Sequence, residues 1–224
     1  MGRRETRPCA DKNFVPILEY EQQERVVADH LNEKHLSGLI NHSDRKWTRE
    51  LGKMRTSETV SSAVHPEIKF FDPKKLHGVF SNFYASPITI KGKTYATVEH
   101  YFQARKFSYK GASKKSLEYG ELIRKSKSPG IAKMLAAQKK SYRFPWMREV
   151  SEIIARYEGV AMRKNWESIK ETIMMIGLFY KFSNLKLKKL LLDTGYSVLI
   201  ENSPYDYYWG IGKDGSGKTD WAYV

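Results

Sequence analysis

The sequence predicts a mainly helical α+β domain, with a short hairpin and a few small strands, over residues 67–224 of a 224-residue chain. Two observations predict this class. Short β-branched and aromatic runs lie near the start and the end of this region, and the residues between them repeat apolar side chains at helical spacing. The combination of small strands with a longer run of helices indicates an α+β architecture.

The first 66 residues form an extension with a different composition. Residues 16–40 place apolar side chains at partly helical spacing, which predicts one or two helices. Residues 55–66 hold few large apolar side chains and end at Pro66, which is typical of a linker. We therefore expect residues 1–66 to be a helical or partly disordered extension and residues 67–224 to be the functional domain.

Strand-forming runs open and close this domain. IKFF at residues 68–71 predicts a first strand, and SVLIE at residues 197–201 predicts a last one. PITI at residues 87–90 and TYAT at residues 94–97 flank KGK, which indicates a hairpin turn.

Helices are predicted between the hairpin and the last strand. They are Val98–Tyr109, Ser113–Lys125, Pro129–Lys139, Trp146–Trp166, Glu167–Phe182 and Leu185–Thr194. Thr97 is a good N-cap for the first of them, so Glu99 falls in its first turn, where the helix dipole favours an ionised carboxyl.

Composition narrows the class of protein. The single cysteine, Cys9, excludes an internal disulfide framework and indicates a reducing compartment. The longest apolar run, residues 173–180, is too short to cross a bilayer, and the polar first residues lack a signal-peptide core. The six histidines lack the paired spacing of a metal site. We expect a soluble intracellular protein, in the cytosol or nucleus, without a membrane partner, a metal or a cofactor.

Positive charge is concentrated in the second region. The formal net charge is +14, and residues 1–66 hold 11 Lys and Arg against 10 Asp and Glu, which leaves +13 for residues 67–224. Basic residues are dense between Lys106 and Arg148, where tyrosine, phenylalanine and tryptophan are interleaved with them. Such a surface either attracts polyanions or keeps a basic protein dispersed, and composition alone does not separate these interpretations.

Residues 212–219, GKDGSGKT, fit the phosphate-binding pattern G-x-x-x-x-G-K-[ST]. A P-loop also needs a following helix, whose N-terminus faces the phosphates, and we expect no helix in the five residues after Thr219. The match therefore does not predict ATP binding, and the glycines need another explanation.

Residues 94–107 carry the first set of candidate site residues. Glu99, Gln103 and Lys106 fall on one face of the predicted helix, since successive residues are about 100° apart. A carboxylate, an amide and an amine in one stripe can hold a sugar hydroxyl, orient a water or supply a nucleophile. The alternative is an ordinary solvated Glu/Lys face. His100 lies off this stripe and is expected to be structural.

Two later stretches add aromatic and charged candidates. Trp166 belongs to an apolar helix face, and Lys170 points into the same sector, either snorkelling to solvent or directed into a pocket. After the last strand, Glu201, Asp206 and Trp209 precede closely spaced glycines on an irregular segment. Such segments often form sites, although an aromatic cluster that closes the core is an open alternative.

In this order the three stretches resemble the NADAR family. The resemblance runs from Ile68 to Lys218, and its most specific motifs are SNFY at 81–84, TVEHYFQARKF at 97–107 and SPYDYYWGIGKDGSG at 203–217. Residues 1–66 lie outside it. Thr219-Asp220-Trp221 departs from the family's usual ending, in which Asn and then Leu-Gly precede a final helix.

The resemblance implies cleavage of a C–N bond at the anomeric carbon of a ribose. Bacterial members are N-glycosidases of riboflavin-biosynthesis intermediates, and related members remove ADP-ribose from the guanine amino group of modified nucleic acid. Carried over by position, the predicted catalytic residues are Glu99, Lys106 and Asp206. Together with the stretches above, it predicts as substrate-binding residues Asn82, Phe83, Gln103, Trp166, Lys170, Tyr205, Trp209, Gly210 and Gly212.

The expected mechanism follows from the oxocarbenium-like state of N-glycosidic cleavage. Ionised Glu99 would stabilise the cation and orient the nucleophile, and Asp206 would bind ribose hydroxyls or assist proton transfer. Lys106 could form a Schiff base with the opened ribose. Trp166 and Trp209 would stack on the base or on adenine, while the glycines would let backbone N–H groups approach the ribose-phosphate.

Three functions remain open on the sequence alone. The +13 charge favours ADP-ribosylated nucleic acid, or another ADP-ribose-containing ligand, as the partner. An N-glycosidase of phosphoribosylamino-pyrimidine riboflavin intermediates is the first alternative, since its phosphate also attracts cations. A non-catalytic ADP-ribose or nucleic-acid binding module is the second, and it would use the same aromatics without needing Glu99.

Overall fold

The computed structural model describes residues 66–217. The helices and linker predicted before Pro66, and the P-loop residues Lys218 and Thr219, lie outside the described residues, and the predicted boundary between residues 66 and 67 stays a prediction. The described helices are α1 Val98–Ala104, α2 Lys114–Arg124, α3 Pro129–Ala137, α4 Pro145–Arg156, α5 Trp166–Phe182 and α6 Leu185–Leu192. The described strands are β1 Glu67–Phe70, β2 Ile88–Ile90, β3 Lys93–Tyr95 and β4 Val198–Glu201. These elements confirm the mainly helical α+β class.

The strands form two separate pairs. β1 lies parallel to β4, with Glu67 opposite Val198 and Phe70 opposite Glu201. β2 and β3 form the predicted antiparallel hairpin. Its turn uses Lys91 at φ 50° and Gly92 at φ 72°, the left-handed conformations that a tight hairpin requires. The β1–β4 pair fixes the starting point of the irregular segment after residue 201.

Helix α1 is the centre of the domain. It packs against α2, α3 and α5, and each of its seven residues is buried, the polar ones included. Thr97 caps it as predicted, by accepting a hydrogen bond from the backbone N–H of His100. The ring of His100 contacts Thr97 Oγ1 at 2.9 Å and the Ser126 carbonyl at 3.1 Å, which is a structural arrangement. The polar stripe of α1 therefore faces the interior and not solvent.

Most predicted helices end within two residues of the observed end, but two of them extend much too far. α1 ends at Ala104 instead of Tyr109, because residues 105–107 form a turn in which the guanidinium of Arg105 donates to the Ser108 carbonyl at 2.9 Å. The helix predicted from Trp146 to Trp166 ends at Arg156, because Gly159 adopts a left-handed φ of 82°. The loop that follows delivers Trp166 to the first turn of α5.

Gly177 lets α5 approach α1 closely. A Cβ on Gly177 would lie 2.9 Å from Val98 Cγ1 and 3.1 Å from Tyr101 Cδ1, which is closer than real side chains pack. The contact brings the candidate residues of both helices together. Within residues 66–217, no helix is both long enough and apolar enough to pass through a bilayer.

Candidate active site

Glu99 is a buried carboxyl held by its own helix and by the SNFY loop. Only 5% of the residue is exposed. Gln103 Nε2 donates a hydrogen bond to Glu99 Oε1 at 2.8 Å, and the backbone N–H of Glu99 donates to the Asn82 carbonyl at 3.1 Å. These contacts join two motifs that are distant in sequence, and they bring Gln103 beside Glu99 as the helical spacing predicts.

Burial changes the protonation expected of Glu99. Desolvation raises the pKa of this carboxyl, while the hydrogen bond from Gln103 and the positive charges of Lys133 and Lys106 oppose that rise. Burial therefore opposes the ionisation that the helix dipole favours, and the ionised state expected of Glu99 stays a prediction. This carboxyl keeps its proton more readily than an ordinary glutamate does, which suits proton transfer.

Lys106 lies in the turn that follows α1, beside two aromatic rings. Its Nζ is 5.4 Å from the ring centroid of Trp166 and 5.7 Å from that of Phe102. Burial lowers the pKa of this amine, and the nearby Glu99 carboxyl partly opposes the shift. A larger fraction of Lys106 is therefore neutral at a given pH than for a solvated lysine, and a neutral amine is a nucleophile.

Phe102 connects the two predicted tryptophans. Its ring makes edge contacts with Trp166 at 4.9 Å and with Trp209 at 5.6 Å, measured between ring centroids. Trp166 is only 4% exposed, so in this structure it forms a wall rather than an open stacking platform. Trp209 is half-buried and offers the more accessible indole. Elements α1, α5 and the segment after β4 thus converge on one aromatic cluster.

Asp206 orders the segment that carries Trp209. Its Oδ1 accepts hydrogen bonds from the backbone N–H groups of Tyr208 at 3.0 Å and Trp209 at 2.9 Å. Its Oδ2 lies 3.9 Å from Nζ of Lys133 on α3. Asp206 therefore has one structural oxygen and one oxygen that faces a cation, and it influences the pKa of Glu99 through its charge.

Two buried amide oxygens have no hydrogen-bond partner within residues 66–217. They are Oδ1 of Asn82 and Oε1 of Gln103. The other amide atoms are held, since Asn82 Nδ2 donates to Met174 Sδ at 3.4 Å and Gln103 Nε2 donates to Glu99. A buried acceptor without a donor costs free energy. These two oxygens fit a ligand that brings donors, such as ribose hydroxyls or an amino group.

The three other predicted binding residues with side chains differ in exposure and contacts. Phe83 is half-buried and Tyr205 is 86% exposed. Lys170 is mostly buried, with Nζ 2.6 Å from Glu167 Oε2 and 3.5 Å from the ring centroid of Tyr208. Lys170 is thus engaged by an ion pair as well as by a ring.

The glycines after Trp209 let the chain pack against itself. A Cβ on Gly210 would lie 3.0 Å from the carbonyl oxygens of Glu201 and Asp206. Gly212 has a left-handed φ of 70°, and a Cβ there would overlap the ring of Tyr207. The N–H of Gly212 already donates to the carbonyls of Ser203 and Asp206. Gly212 therefore offers no free N–H to a ribose-phosphate, contrary to the expectation from sequence.

The sequence did not indicate two lysines that lie at or near the cluster, Lys181 and Lys133, and it gave no role to Glu201. Lys181 is 1% exposed and donates from Nζ to the Ser81 carbonyl at 2.8 Å, next to Asn82. Burial lowers the pKa of Lys181 to about 7, an effect that Glu201 opposes. Burial, together with the charges of Asp206 and Glu99, raises the pKa of Glu201 to about 7.

Of the two lysines, only Lys181 has a signal in the sequence. Lys181 follows Ile173 by eight residues and Gly177 by four, so it continues the buried face of α5. Lys133 is one of many lysines in a basic stretch, and nothing in the sequence distinguishes it. Among residues 66–217 there is no group of three or more His, Cys, Asp or Glu that could hold a metal ion.

Comparison with known proteins gives consistent matches. A family model described as NADAR domain matches residues 69–222. N-glycosidase YbiA of Escherichia coli (strain K12) is 38% identical over 158 residues, which cover 70% of this chain and 82% of the relative. N-glycosidase Npun_R5314 of Nostoc punctiforme is 30% identical over 151 residues, with 67% and 82% covered. The NMR structure of E. coli YbiA matches with a TM-score of 0.54 and 35% identity over 74% of this chain and 84% of that one.

Proposed function

Because the chain belongs to the NADAR family, we propose that it is an N-glycosidase that removes ADP-ribose from ADP-ribosylated guanine in nucleic acid. The relatives named N-glycosidases support the reaction class, which is cleavage of a carbon–nitrogen bond to a sugar. The substrate is our own inference. It rests on the charge of this chain and on the groups gathered around Glu99.

The observation that carries the proposal is the buried trio of Glu99, Gln103 and Lys106. The pKa of the Glu99 carboxyl is raised and the pKa of the Lys106 amine is lowered, relative to their ordinary values. The amide of Gln103 holds the Glu99 carboxyl in place. An acid that protonates the leaving nitrogen and an amine that attacks C1 can together cleave an N-glycosidic bond. A module that only binds ADP-ribose would not need them.

In the first step, the lone pair of Lys106 Nζ forms a bond to C1 of the ribose as the bond from C1 to the base nitrogen breaks. Glu99 gives its proton to the leaving nitrogen, which departs as the amino group of guanine. The proton left on the Lys106 nitrogen passes to the ring oxygen as the C1–O bond opens, and this gives an iminium.

In the second step, water adds to C1 of the iminium, and the carboxylate of Glu99 takes its proton. The proton of the new hydroxyl passes to the Lys106 nitrogen as the bond between C1 and this nitrogen breaks, which returns the neutral amine and ADP-ribose in its open-chain aldehyde form. The unpartnered oxygens of Asn82 and Gln103 would accept from hydroxyl groups of the ribose, and Asp206 with Lys133 would face its polar edge.

The nucleic-acid part of the proposal rests on charge. Residues 67–224 hold +13 of the net +14, and Lys133 places one exposed ammonium beside Asp206 at the site. A polyanion gains from neutralising many phosphates on such a surface, whereas a small metabolite carries too few charges to use it.

A second candidate is an N-glycosidase of phosphoribosylamino-pyrimidines. Two relatives have names that point to this pathway: Riboflavin biosynthesis protein VVA0006 of Vibrio vulnificus, 30% identical over 161 residues, and Riboflavin biosynthesis protein PYRR, chloroplastic, of Zea mays, 32% identical over 157 residues. The matched segment covers only 37% and 22% of those longer proteins, so their names describe more than this domain.

Product analysis separates these functions. The full chain is incubated with an oligonucleotide that carries ADP-ribose on a guanine amino group and, separately, with a phosphoribosylamino-pyrimidine, and products are identified by mass spectrometry. Free ADP-ribose together with unmodified oligonucleotide supports the proposal. Product from the pyrimidine alone favours the second candidate, and binding without any product shows a non-catalytic module. The Glu99→Gln variant is the control for a contaminating activity.

A further inference from the structure

The loop between α3 and α4, with the first turn of α4, combines exposed aromatic and basic side chains. We call residues 138–148 the aromatic–basic segment. Its exposed members are Lys139, Lys140, Tyr142, Arg143, Phe144, Pro145, Trp146 and Arg148. Tyr142 is 63% exposed, Phe144 46% and Trp146 45%. No acidic residue occurs among residues 138–148. Three large rings in a row of cations are an unusual surface for a protein to leave open.

The backbone of this segment is firmly anchored. Ser151, which is fully buried, accepts from the N–H of Ser141 at 2.9 Å and donates to the Ser141 carbonyl at 2.8 Å. Gln138 Nε2 donates to the Val160 carbonyl at 2.7 Å. The rings are therefore displayed by a fixed backbone, which lowers the entropic cost of contacting a partner.

The charge and the ring geometry indicate the partner. The guanidinium of Arg143 lies 5.3 Å from the ring centroid of Phe144, so cation and ring already form one unit. Exposed rings that stack on bases, next to cations that contact phosphates, are the features by which proteins bind single-stranded nucleic acid. A membrane surface would favour a helix with a continuous exposed apolar face, but the apolar residues Val150 and Ile154 of α4 are buried in the domain.

The segment is connected to the site by α3. This helix carries Lys133, which faces Asp206, and it ends one residue before the aromatic–basic segment begins. From Lys133 to the end of α3 at Ala137 the helix advances about 6 Å, at the rise of an α-helix. A strand whose modified nucleotide lies at Glu99 therefore has a short path along α3 to the exposed rings.

We propose that residues 138–148 are the docking surface for single-stranded nucleic acid that flanks the modified nucleotide. The position of the strand rests on the proposed function, whereas the binding itself can be measured without turnover. Tyr142 and Trp146 stack on bases, and Lys139, Lys140, Arg143 and Arg148 neutralise phosphates.

The test measures binding of an unmodified, fluorescently labelled single-stranded oligonucleotide by anisotropy at two salt concentrations. The variants are Tyr142→Ala with Trp146→Ala, the conservative Trp146→Phe, and Tyr196→Ala as an exposed aromatic control outside the segment. We expect binding to weaken at least about fivefold for each ring removed, and the Phe and Tyr196 variants to bind nearly as wild type does. Wild-type binding should weaken steeply with salt. Thermal melts check that the exposed substitutions leave the fold intact.

Several outcomes overturn the proposal. If the double variant and the wild type bind the oligonucleotide with equal affinity, the docking proposal is wrong. It is also wrong if the wild type binds phosphatidylserine vesicles but not the oligonucleotide. A parallel assay on ADP-ribosylated guanosine, too small to reach the segment, separates the two proposals. If the double variant binds the oligonucleotide as wild type does while ADP-ribose is still released, the docking surface is wrong and the function stands. If oligonucleotide binding depends on the rings, but neither ADP-ribosylated guanosine nor the ADP-ribosylated oligonucleotide yields ADP-ribose, the docking surface stands and the proposed function fails.

Discussion

Gln103 donates a 2.8 Å hydrogen bond to Oε1 of Glu99, one helical turn before it on α1, and both side chains are at least 95% buried. The bond stabilises the ionised carboxylate, while burial stabilises the protonated acid. The protonation state of Glu99 is thus set by two opposing effects, and one of them can be removed by mutation.

Gln103→Met should raise the pKa of Glu99 further, because it removes a hydrogen bond to the ionised form and keeps a similar shape. Activity that needs protonated Glu99 falls as pH rises through the pKa of this carboxyl. The falling, high-pH limb of the kcat profile should therefore move to higher pH in the variant. The profile of kcat against pH is the measurement. A limb at the wild-type position would show that this bond does not control the proton of Glu99.

Glu99→Gln should lower kcat by about 100-fold to 10,000-fold, because the amide can neither give nor take the proton. The free energy of unfolding should not fall, since a neutral group of the same shape replaces a buried acid. Glu118→Gln, on an exposed position of α2, is the matched control and should retain wild-type turnover. Near-normal turnover of Glu99→Gln would remove this residue from the mechanism.

Borohydride reduction should trap the ribose on Lys106. Lys106→Ala should abolish the covalent adduct, because burial favours the neutral amine at this position. Lys170→Ala should still give the adduct, since Lys170 is paired with Glu167 and lies against the ring of Tyr208. Mass spectrometry of the trapped protein locates the modified residue. If trapping survives in both variants, the assignment of the amine is wrong.

Lys181 and Glu201 should give stability a minimum near pH 7. Each has a folded pKa of about 7, against ordinary values of 10.5 and 4.5. Between 4.5 and 7 the folded protein holds more protons at Glu201, so the free energy of unfolding falls as pH rises. Between 7 and 10.5 the unfolded chain holds more protons at Lys181, so it rises again.

Lys181→Met should therefore flatten the rise above pH 7, measured by urea denaturation at a series of pH values. Lys186→Met, at an exposed position of α6, should leave the rise unchanged. A wild-type stability curve without this rise would contradict the burial of a charged lysine beside Ser81.

Gly212→Ala should destabilise the domain by more than Gly215→Ala. Both glycines have a left-handed φ, at 70° and 78°, so each substitution carries a similar backbone cost of about 1 kcal/mol. Only at Gly212 does the new Cβ meet the ring of Tyr207, while the space beside Gly215 is open. Thermal melts of the two variants measure the difference. Equal losses would mean that Tyr207 moves aside freely.

Local features of the fold were predictable because local rules decide them. The hairpin was read from Lys91 and Gly92, whose positive φ values a tight turn requires. The start of α1 was read from its cap, and the side chain of Thr97 does accept the expected hydrogen bond. Helix ends were read less well, because the left-handed Gly159 was treated as part of a helix.

The site was predictable only along single elements. Helical spacing places Gln103 beside Glu99, but it does not tell a solvated face from a buried one, and burial is what raises the pKa of Glu99. The contact of Lys181 with Ser81 joins residues 100 positions apart, and no local pattern encodes it. The same holds for the ion pair of Lys133 with Asp206.

The pairing of β1 with β4 has a consequence for biosynthesis. Glu67 must wait for Val198 to leave the ribosome before the two can join, and the segment that bears Asp206 and Trp209 emerges still later. Contacts of such long sequence separation form slowly. Nascent chains that stop before residue 198 therefore carry Glu99 and Lys106 without the partners that complete the site, so activity should arise only after nearly the whole domain has been synthesised.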